Sequence, residues 1–179
     1  EAYIGATILS VTRQSILPVR WVIVDDDSTD RTYDIISEYA EKNAFILPVH
    51  LEKSKEWSFK SKAHAVNFGR QHLKDLDYDF LGILDADITF DESYYERILD
   101  KFSQNPRLGL AGGIISEMNN GKYVAQSYYL NSVAGAIQLF RRDCFEQVGG
   151  YIPSKTGGID AIAEMMTRMH GWHVQSFPE

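Results

Sequence analysis

The chain has 179 residues, 44% of them hydrophobic and 24% charged, with a formal net charge of −7. That length supports one domain with a substantial core, and the acidic balance argues against nucleic-acid binding, which calls for a basic face. A single cysteine, Cys144, excludes an internal disulfide and a cysteine-built zinc cage; it reads as a small buried filler in a reducing compartment. No apolar stretch reaches the ~20 residues that span a bilayer, and no secretory leader is read.

In chain order, a helix is expected over Ala2–Gln14, broken by Leu17-Pro18. A short apolar strand, Trp21–Val24, comes next, then a helix over Asp30–Asn43 with Tyr33, Ile36 and Tyr39 near helical spacing. Phe45–Leu51 reads as a strand near an edge, because Pro48 cannot donate to a ladder. Ser61–Leu73 reads as a helix, Phe80–Leu84 as the central strand, and Asp91 as the cap of a helix running to Ser103. Leu108–Ile115 is an expected strand, with Gly112-Gly113 marking a close approach or a bulge. Asn119-Asn120-Gly121 signals a turn. Gly135–Phe140 is an expected strand, Arg141–Val148 a short helix stopped by Gly149-Gly150, Asp160–His170 a helix, and Trp172–Phe177 a strand. This alternation predicts an α/β fold, a mostly parallel sheet flanked by helices. The ends read as cut: the first helix has no cap and no strand before it, and a preceding strand is the natural partner of Trp21–Val24.

Two of these strands end in carboxylates. Phe80–Leu84 runs into Asp85-Ala86-Asp87, and side chains two apart on a strand share a face. Both carboxylates can therefore address one point beyond the sheet edge, where a hard cation such as Mg²⁺ or Mn²⁺ takes oxygen ligands and completes its shell with phosphates. By itself an Asp-x-Asp is equally an ordinary strand-end turn. Trp21–Val24 runs into Asp25-Asp26-Asp27-Ser28-Thr29-Asp30. Ser28, Thr29 or Asp30 can cap the following helix, but Asp25 and Asp26 belong to the strand tip. Two acidic strand ends in one α/β sheet lie on the carboxyl edge, where such sheets bind ligands.

Val24-Asp25-Asp26-Asp27-Ser28-Thr29-Asp30-Arg31-Thr32 resembles the nucleotide-binding signature of family 2 glycosyltransferases, with Asp27 where glycine is usual. Ser61-Lys62-Ala63-His64-Ala65-Val66-Asn67-Phe68-Gly69 resembles that family's Gly-Lys-x-x-Ala-x-Asn-x-Gly segment, and Asp85-Ala86-Asp87 its metal-binding Asp-x-Asp. Phe140-Arg141-Arg142 and Val148-Gly149-Gly150-Tyr151 match the stretch leading to the acceptor side. Gly157-Gly158-Ile159-Asp160 stands where many members carry Gly-Glu-Asp, and Gly171-Trp172 follows after a helix. The resemblance covers nearly the whole chain and implies a single GT-A domain over residues 1–179, cut before its first strand and at its C-terminal end.

By that resemblance the function is inverting transfer of a sugar from a nucleotide-diphospho-sugar, a UDP- or GDP-sugar, to a hydroxyl of a saccharide, lipid or protein acceptor. Mn²⁺ or Mg²⁺ is the implied cofactor, held by Asp87 with Asp85; Asp85 is open to contact with the donor ribose or sugar instead. Asp26 is the implied acceptor of a base imide N–H, with Asp25 beside it, and Lys62 steadies base or diphosphate or is a solvated helix lysine. Asp160 is the implied catalytic base, Ile159 having replaced the glutamate. It also reads as a helix N-cap, and Glu164 is the next carboxylate in reach. The implied setting is cytoplasmic, with peripheral association at the inner membrane face open.

Other residues carry blander expectations. His64, His170 and His173 lack ligand spacing and read as surface or satisfied core histidines. Trp57 is open between stacking and loop anchoring, Trp172 reads as core, and Tyr128 and Tyr129 as buried aromatics in preference to a sugar platform. Arg141 and Arg142 are open between phosphate contact and an exposed helix start. Two other functions remain: a non-catalytic sugar-nucleotide-binding scaffold, suggested by Ile159, and a nucleotidyltransferase, which wants a Gly-rich phosphate loop that is not visible here.

Overall fold

The computed structural model describes residues 1–52, 60–125, 129–154 and 157–178. Trp57 and Tyr128 lie outside the described residues.

The chain opens with α1 (Ile4–Thr12), β1 (Trp21–Asp25), α2 (Thr32–Ala40) and β2 (Ile46–His50). β1 and β2 pair in parallel, Trp21 opposite Ile46 and Asp25 opposite His50. Ile4, Ile8, Ile23, Ile36 and Ile46 close a small core between this pair and the two helices. The acidic run after β1 turns through Asp27, whose φ of 59° lies in the left-handed region. Aspartate tolerates that region better than most side chains, though less well than glycine. The expected cap at the head of α2 is partial: Asp30 accepts from the Thr32 N–H at 3.0 Å, while the cap residue itself, Arg31, makes no side-chain capping bond.

The second unit holds α3 (Lys60–Gln71), β3 (Phe80–Leu84), α4 (Tyr94–Gln104), β4 (Leu108–Gly113), β7 (Ile137–Arg141), α5 (Arg142–Val148), α6 (Ile159–Met169) and β8 (His173–Phe177), with the hairpin β5 (Ser116–Asn119) and β6 (Lys122–Ala125) inserted after β4. Its sheet runs β3-β7-β4-β8. β7 is antiparallel to β3 and β4, whereas β4 and β8 are parallel. The large sheet is thus mixed, three strands running one way and β7 against them. β3 was expected at the centre of the sheet and lies instead at its described edge. Its outer edge and the free edge of β1 face an apolar groove of about 740 Å³, lined by side chains such as Val22, Val24, Val66, Leu73 and Leu84.

Alternation along the strands assigns the faces. Leu81 and Ile83 join Phe140, Phe145 and Ala163 on the side of α3, α5 and α6. Phe80, Leu84, Ile137 and Leu139 join Ile98 and Phe102 on the side of α4. Tyr94, Ile98 and Phe102 are spaced by four and form one face of α4; Ile98 and Phe102, at 0% and 1% exposure, each stabilise the fold by about 2–3 kcal/mol. The strand irregularity falls at Gly109, between Leu108 and Leu110. It explains why Leu108 and Ala111, three apart, face one cluster and Leu110 the other. Gly112 and Gly113 are the expected close approaches: a methyl on Gly113 would lie 2.8 Å from the Tyr94 ring. Asn120 and Gly121, with φ of 48° and 76°, make the two-residue hairpin turn.

Asp91 does not cap α4. The cap position is Ser93, and Asp91 accepts instead from the Ser93 N–H at 3.0 Å and pairs with Arg97 at 2.9 Å. That guanidinium holds its carboxyl below the usual range. Tyr129 was expected to be buried and is 76% exposed. Arg141 donates to the Leu108 and Phe102 carbonyls between the rings of Phe80 and Phe102, and Arg142 pairs with Glu146. Both arginines therefore brace the sheet end rather than await a phosphate. His64, His170 and His173 are exposed. Trp172 is half-buried against the core and donates its indole N–H to Gln147 at 2.9 Å. Cys144 is fully buried, and burial pushes its thiol up to about 11.

Candidate active site

The site is built from strand tips. β3 delivers Asp85 just past its last paired residue, and the Asp85 N–H donates to the Ala136 carbonyl at 2.9 Å. The next carbonyl, that of Ala86, accepts from the hydroxyl of buried Thr7 on α1 at 2.8 Å. Two bonds thus fix the Asp85-Ala86-Asp87 turn, and Asp87 is exposed beyond it.

α3 supplies Lys62. Its Nζ pairs with Asp85 Oδ1 at 2.5 Å and donates to the Gly135 carbonyl at 3.1 Å. Lys62 is therefore no freely solvated helix lysine. The rest of its sequence block places the helix. Ala63 is fully buried, and Asn67 donates to the Tyr151 carbonyl at 2.8 Å. Gly69 passes so close to β1 that a methyl there would sit 3.0 Å from a Val24 methyl.

Gly135 is also where Asp160 arrives. A Cβ on Gly135 would lie 2.5 Å from Asp160 Oδ2 and 2.8 Å from its Cβ, so only glycine lets the two segments meet. Lys62, Asp85 and Asp160 accordingly gather around one residue. The expectation that Asp160 caps α6 is corrected: Gly158, with φ of 69°, is the cap position and makes no side-chain bond, and Asp160 lies in the first turn. Ile159 is 6% exposed and packs in the core.

Glu164, the second carboxylate considered for proton transfer, is engaged elsewhere. It is 6% exposed and accepts from the Val133 N–H at 2.7 Å and the Ser132 hydroxyl at 3.0 Å, with Arg168 at 3.2 Å. It ties down the segment that leads to Gly135. Beneath lies Tyr151, 2% exposed, whose hydroxyl donates to buried Gln138. Burial, then the charges of Asp160, Asp85 and Glu164, raise its ionisation well above the ordinary tyrosine range, so it stays a neutral donor.

The β1 tip carries a second cluster. Asp25 is 3% exposed; its Oδ2 accepts from His50 Nδ1 at 2.9 Å, while Oδ1 has no partner among the described residues. Asp26 is half-buried and Asp27 Oδ1 lies 3.8 Å from His50 Nε2. Sequence reasoning passed over His50, Gly135 and Gln138. No signal in the sequence marked His50, because the register that sets it opposite Asp25 is a property of the folded strand pair.

Asp85 and Asp87 are the residues that can hold a divalent metal. No group of three or more His, Cys, Asp or Glu fit for a metal exists among the described residues. Two carboxylates of which one oxygen is already paired with Lys62 suit a hard cation that takes its remaining oxygens from substrate and water, not a closed cage.

The structure is similar to that of mannosyltransferase PcManGT from Pyrobaculum calidifontis in complex with GDP-Man and Mn²⁺, at a TM-score of 0.72 and 19% identity, over 98% of this chain and 51% of that one. It is likewise similar to S. aureus TarS, at a TM-score of 0.73 and 17% identity, over 100% of this chain and 33% of that one. These likenesses show the GT-A fold. In sequence the chain is 27% identical over 147 residues to the poly-beta-1,6-N-acetyl-D-glucosamine synthase of Staphylococcus epidermidis, covering 72% of this chain and 34% of that protein. It therefore spans about a third of the length of that relative. The model of glycosyl transferase family 2 matches residues 1–156, most of the chain, and the protein belongs to that family.

Proposed function

We propose that this domain transfers a sugar, with inversion, from a nucleotide-diphospho-sugar to an acceptor hydroxyl. The observation that carries this is the meeting of Lys62, Asp85 and Asp160 around Gly135. A cation and a carboxylate from the Asp-x-Asp strand tip thereby lie near a second carboxylate that can take a proton. UDP- or GDP-sugars are the proposed donors, since the similar mannosyltransferase was solved with GDP-Man, and a saccharide is the leading acceptor, since the similar synthase is named for a polysaccharide.

In this reading Asp25 and Asp26 receive the base, and Lys62 orients Asp85 toward the donor. Asp87 with Asp85 would hold Mn²⁺ or Mg²⁺. When bound, the cation neutralises the negative charge that develops on the departing diphosphate. Asp160 accepts the proton of the acceptor hydroxyl as its oxygen bonds to the anomeric carbon, and the bond from that carbon to the diphosphate oxygen breaks. Attack from the face opposite the leaving group inverts the anomeric centre. Glu164, held by three partners, positions the 132–135 segment instead. Among the described residues no helix is long and apolar enough to cross a membrane. We place the domain on the cytoplasmic side, where nucleotide sugars are made, with peripheral contact to the inner face.

Calorimetry with UDP, GDP, dTDP and CMP, with Mn²⁺ and with chelator, tests the donor site. Metal-dependent binding of one diphosphate is the expected result. Binding of none of them sinks the assignment.

A further inference from the structure

We propose that His50 is a positioning residue for recognition of the donor base, holding the Asp25 carboxylate so that its second oxygen takes an N–H from that base. The proposal rests on the nucleotide-sugar reading above and extends it to a residue outside every motif of the sequence. The backbone sets it up. Asp25 and His50 are register partners on adjacent strands, and the Leu51 N–H donates to the Asp25 carbonyl at 2.9 Å. The two side chains therefore stand on one face, and His50 Nδ1 reaches Asp25 Oδ2 at 2.9 Å.

A nitrogen at that distance from a carboxylate oxygen carries the hydrogen, which defines Nδ1 as the donor. The ring is held from other sides too. Tyr33 packs edge-on at a centroid distance of 5.8 Å, and Asp27 Oδ1 stands 3.8 Å from Nε2, too far for a hydrogen bond. The Nδ1 contact thereby occupies Oδ2 of Asp25.

Asp25 Oδ1 is then the anomaly. Its side chain is 1% exposed, and among the described residues it is the one buried side-chain polar atom without a partner. A carboxylate oxygen kept from water and from donors is costly and calls for an account, and a donor supplied by the ligand provides one. Uracil, thymine and guanine present a ring N–H that suits it, which gives that N–H to Asp25 where the family resemblance implied Asp26. Cytosine has a lone pair at N3 and meets the same oxygen with repulsion. His50 sets this preference indirectly, by occupying Oδ2 and leaving Oδ1.

The test measures the affinity of UDP and GDP, with Mn²⁺, for the whole chain and for its His50→Ala and His50→Asn variants. Thermal melting is followed in parallel. Asparagine carries its amide nitrogen where histidine carries Nδ1 and restores the donor. For whichever diphosphate the wild type binds, His50→Ala should weaken binding about 10- to 100-fold, the range for a hydrogen bond to a charged group. His50→Asn should return to within about threefold of wild type. The loss in His50→Ala should vanish when the nucleotide is methylated at the ring nitrogen (N3-methyl-UDP or N1-methyl-GDP), because the contact is already gone. Unchanged affinity in His50→Ala overturns the role, and so does an equal loss toward the methylated nucleotide. Failure of a folded His50→Asn to recover does the same, and that variant decides the matter should His50→Ala not fold. A wild type that binds no diphosphate instead sinks the donor reading itself, and the role of His50 with it.

Discussion

Replacing Glu164 separates two carboxylates that stand one turn apart on α6. Glu164 is 6% exposed and bonded to Val133, Ser132 and Arg168. Glu164→Ala strands the buried Val133 N–H, a cost of about 1–3 kcal/mol, and removes a half-exposed ion pair worth about 0.5 kcal/mol. At roughly 2–4 °C per kcal/mol for a chain of this size, Tm should fall by roughly 3–14 °C. Glu164→Gln keeps a carbonyl oxygen for Val133 and should cost about 1 kcal/mol. Neither variant removes the proposed proton acceptor, so donor consumption per folded molecule should stay within about fivefold of wild type. Asp160→Asn should do the reverse: little change in Tm, and a fall in kcat of about 10²- to 10⁴-fold with diphosphate affinity kept. Calorimetric melting and a donor-consumption assay on the same preparations read both quantities. A Glu164→Gln protein that melts like wild type yet turns over as slowly as Asp160→Asn would refute the assignment and move the proton to Glu164.

Asp87→Ala should abolish the Mn²⁺-dependent part of diphosphate binding in calorimetry while leaving Tm unchanged, since Asp87 is exposed; retained metal dependence moves the cation elsewhere. Gly135→Ala places a methyl 2.5 Å from Asp160 Oδ2, which should cost about 1–3 kcal/mol in urea unfolding and lower kcat at least tenfold; full activity would show that this approach is not needed. The Cys144 thiol is raised by burial from 9.0 to about 11, so its stabilising contribution is complete below about pH 9 and is lost as pH climbs through about 11. The stability difference between wild type and Cys144→Ala, measured by urea unfolding from pH 8 to 11, should therefore narrow as pH rises; a constant difference contradicts it.

Element existence was legible because local signals agreed. β1, β3 and the short helix α5 each had an apolar core and a defined stop, such as Gly149 at φ 82°. What was not legible depends on distant partners. β3 reads as central because its residues are apolar on both faces, yet both faces are covered by helices at an edge just as well as in the middle. The reversed direction of β7 leaves no mark in its own residues. Asp91 stands two residues ahead of the α4 cap position, Ser93, and is engaged by the Ser93 N–H and the Arg97 guanidinium, partners set by the final turn geometry.

In the site, the same distinction separates what motifs supply from what the fold supplies. Asp85, Asp87 and the aspartates at the β1 tip were found because carboxylates at a strand tip are costly and so stand out, and Lys62 because its segment resembles a family motif. Gly135 carries no functional group, and its value is the space it leaves. It admits Asp160 from a segment 25 positions later while offering its carbonyl to Lys62, 73 positions earlier. Glu164 looked like a spare base because a sequence shows charge and not occupancy; three bonds on its oxygens make it a brace. His50 looked like the end of an edge strand, and only the register that sets it opposite Asp25 gives it a task. A carboxylate therefore becomes a candidate for chemistry when its partners leave an oxygen free, a criterion that Asp25 meets and Glu164 fails.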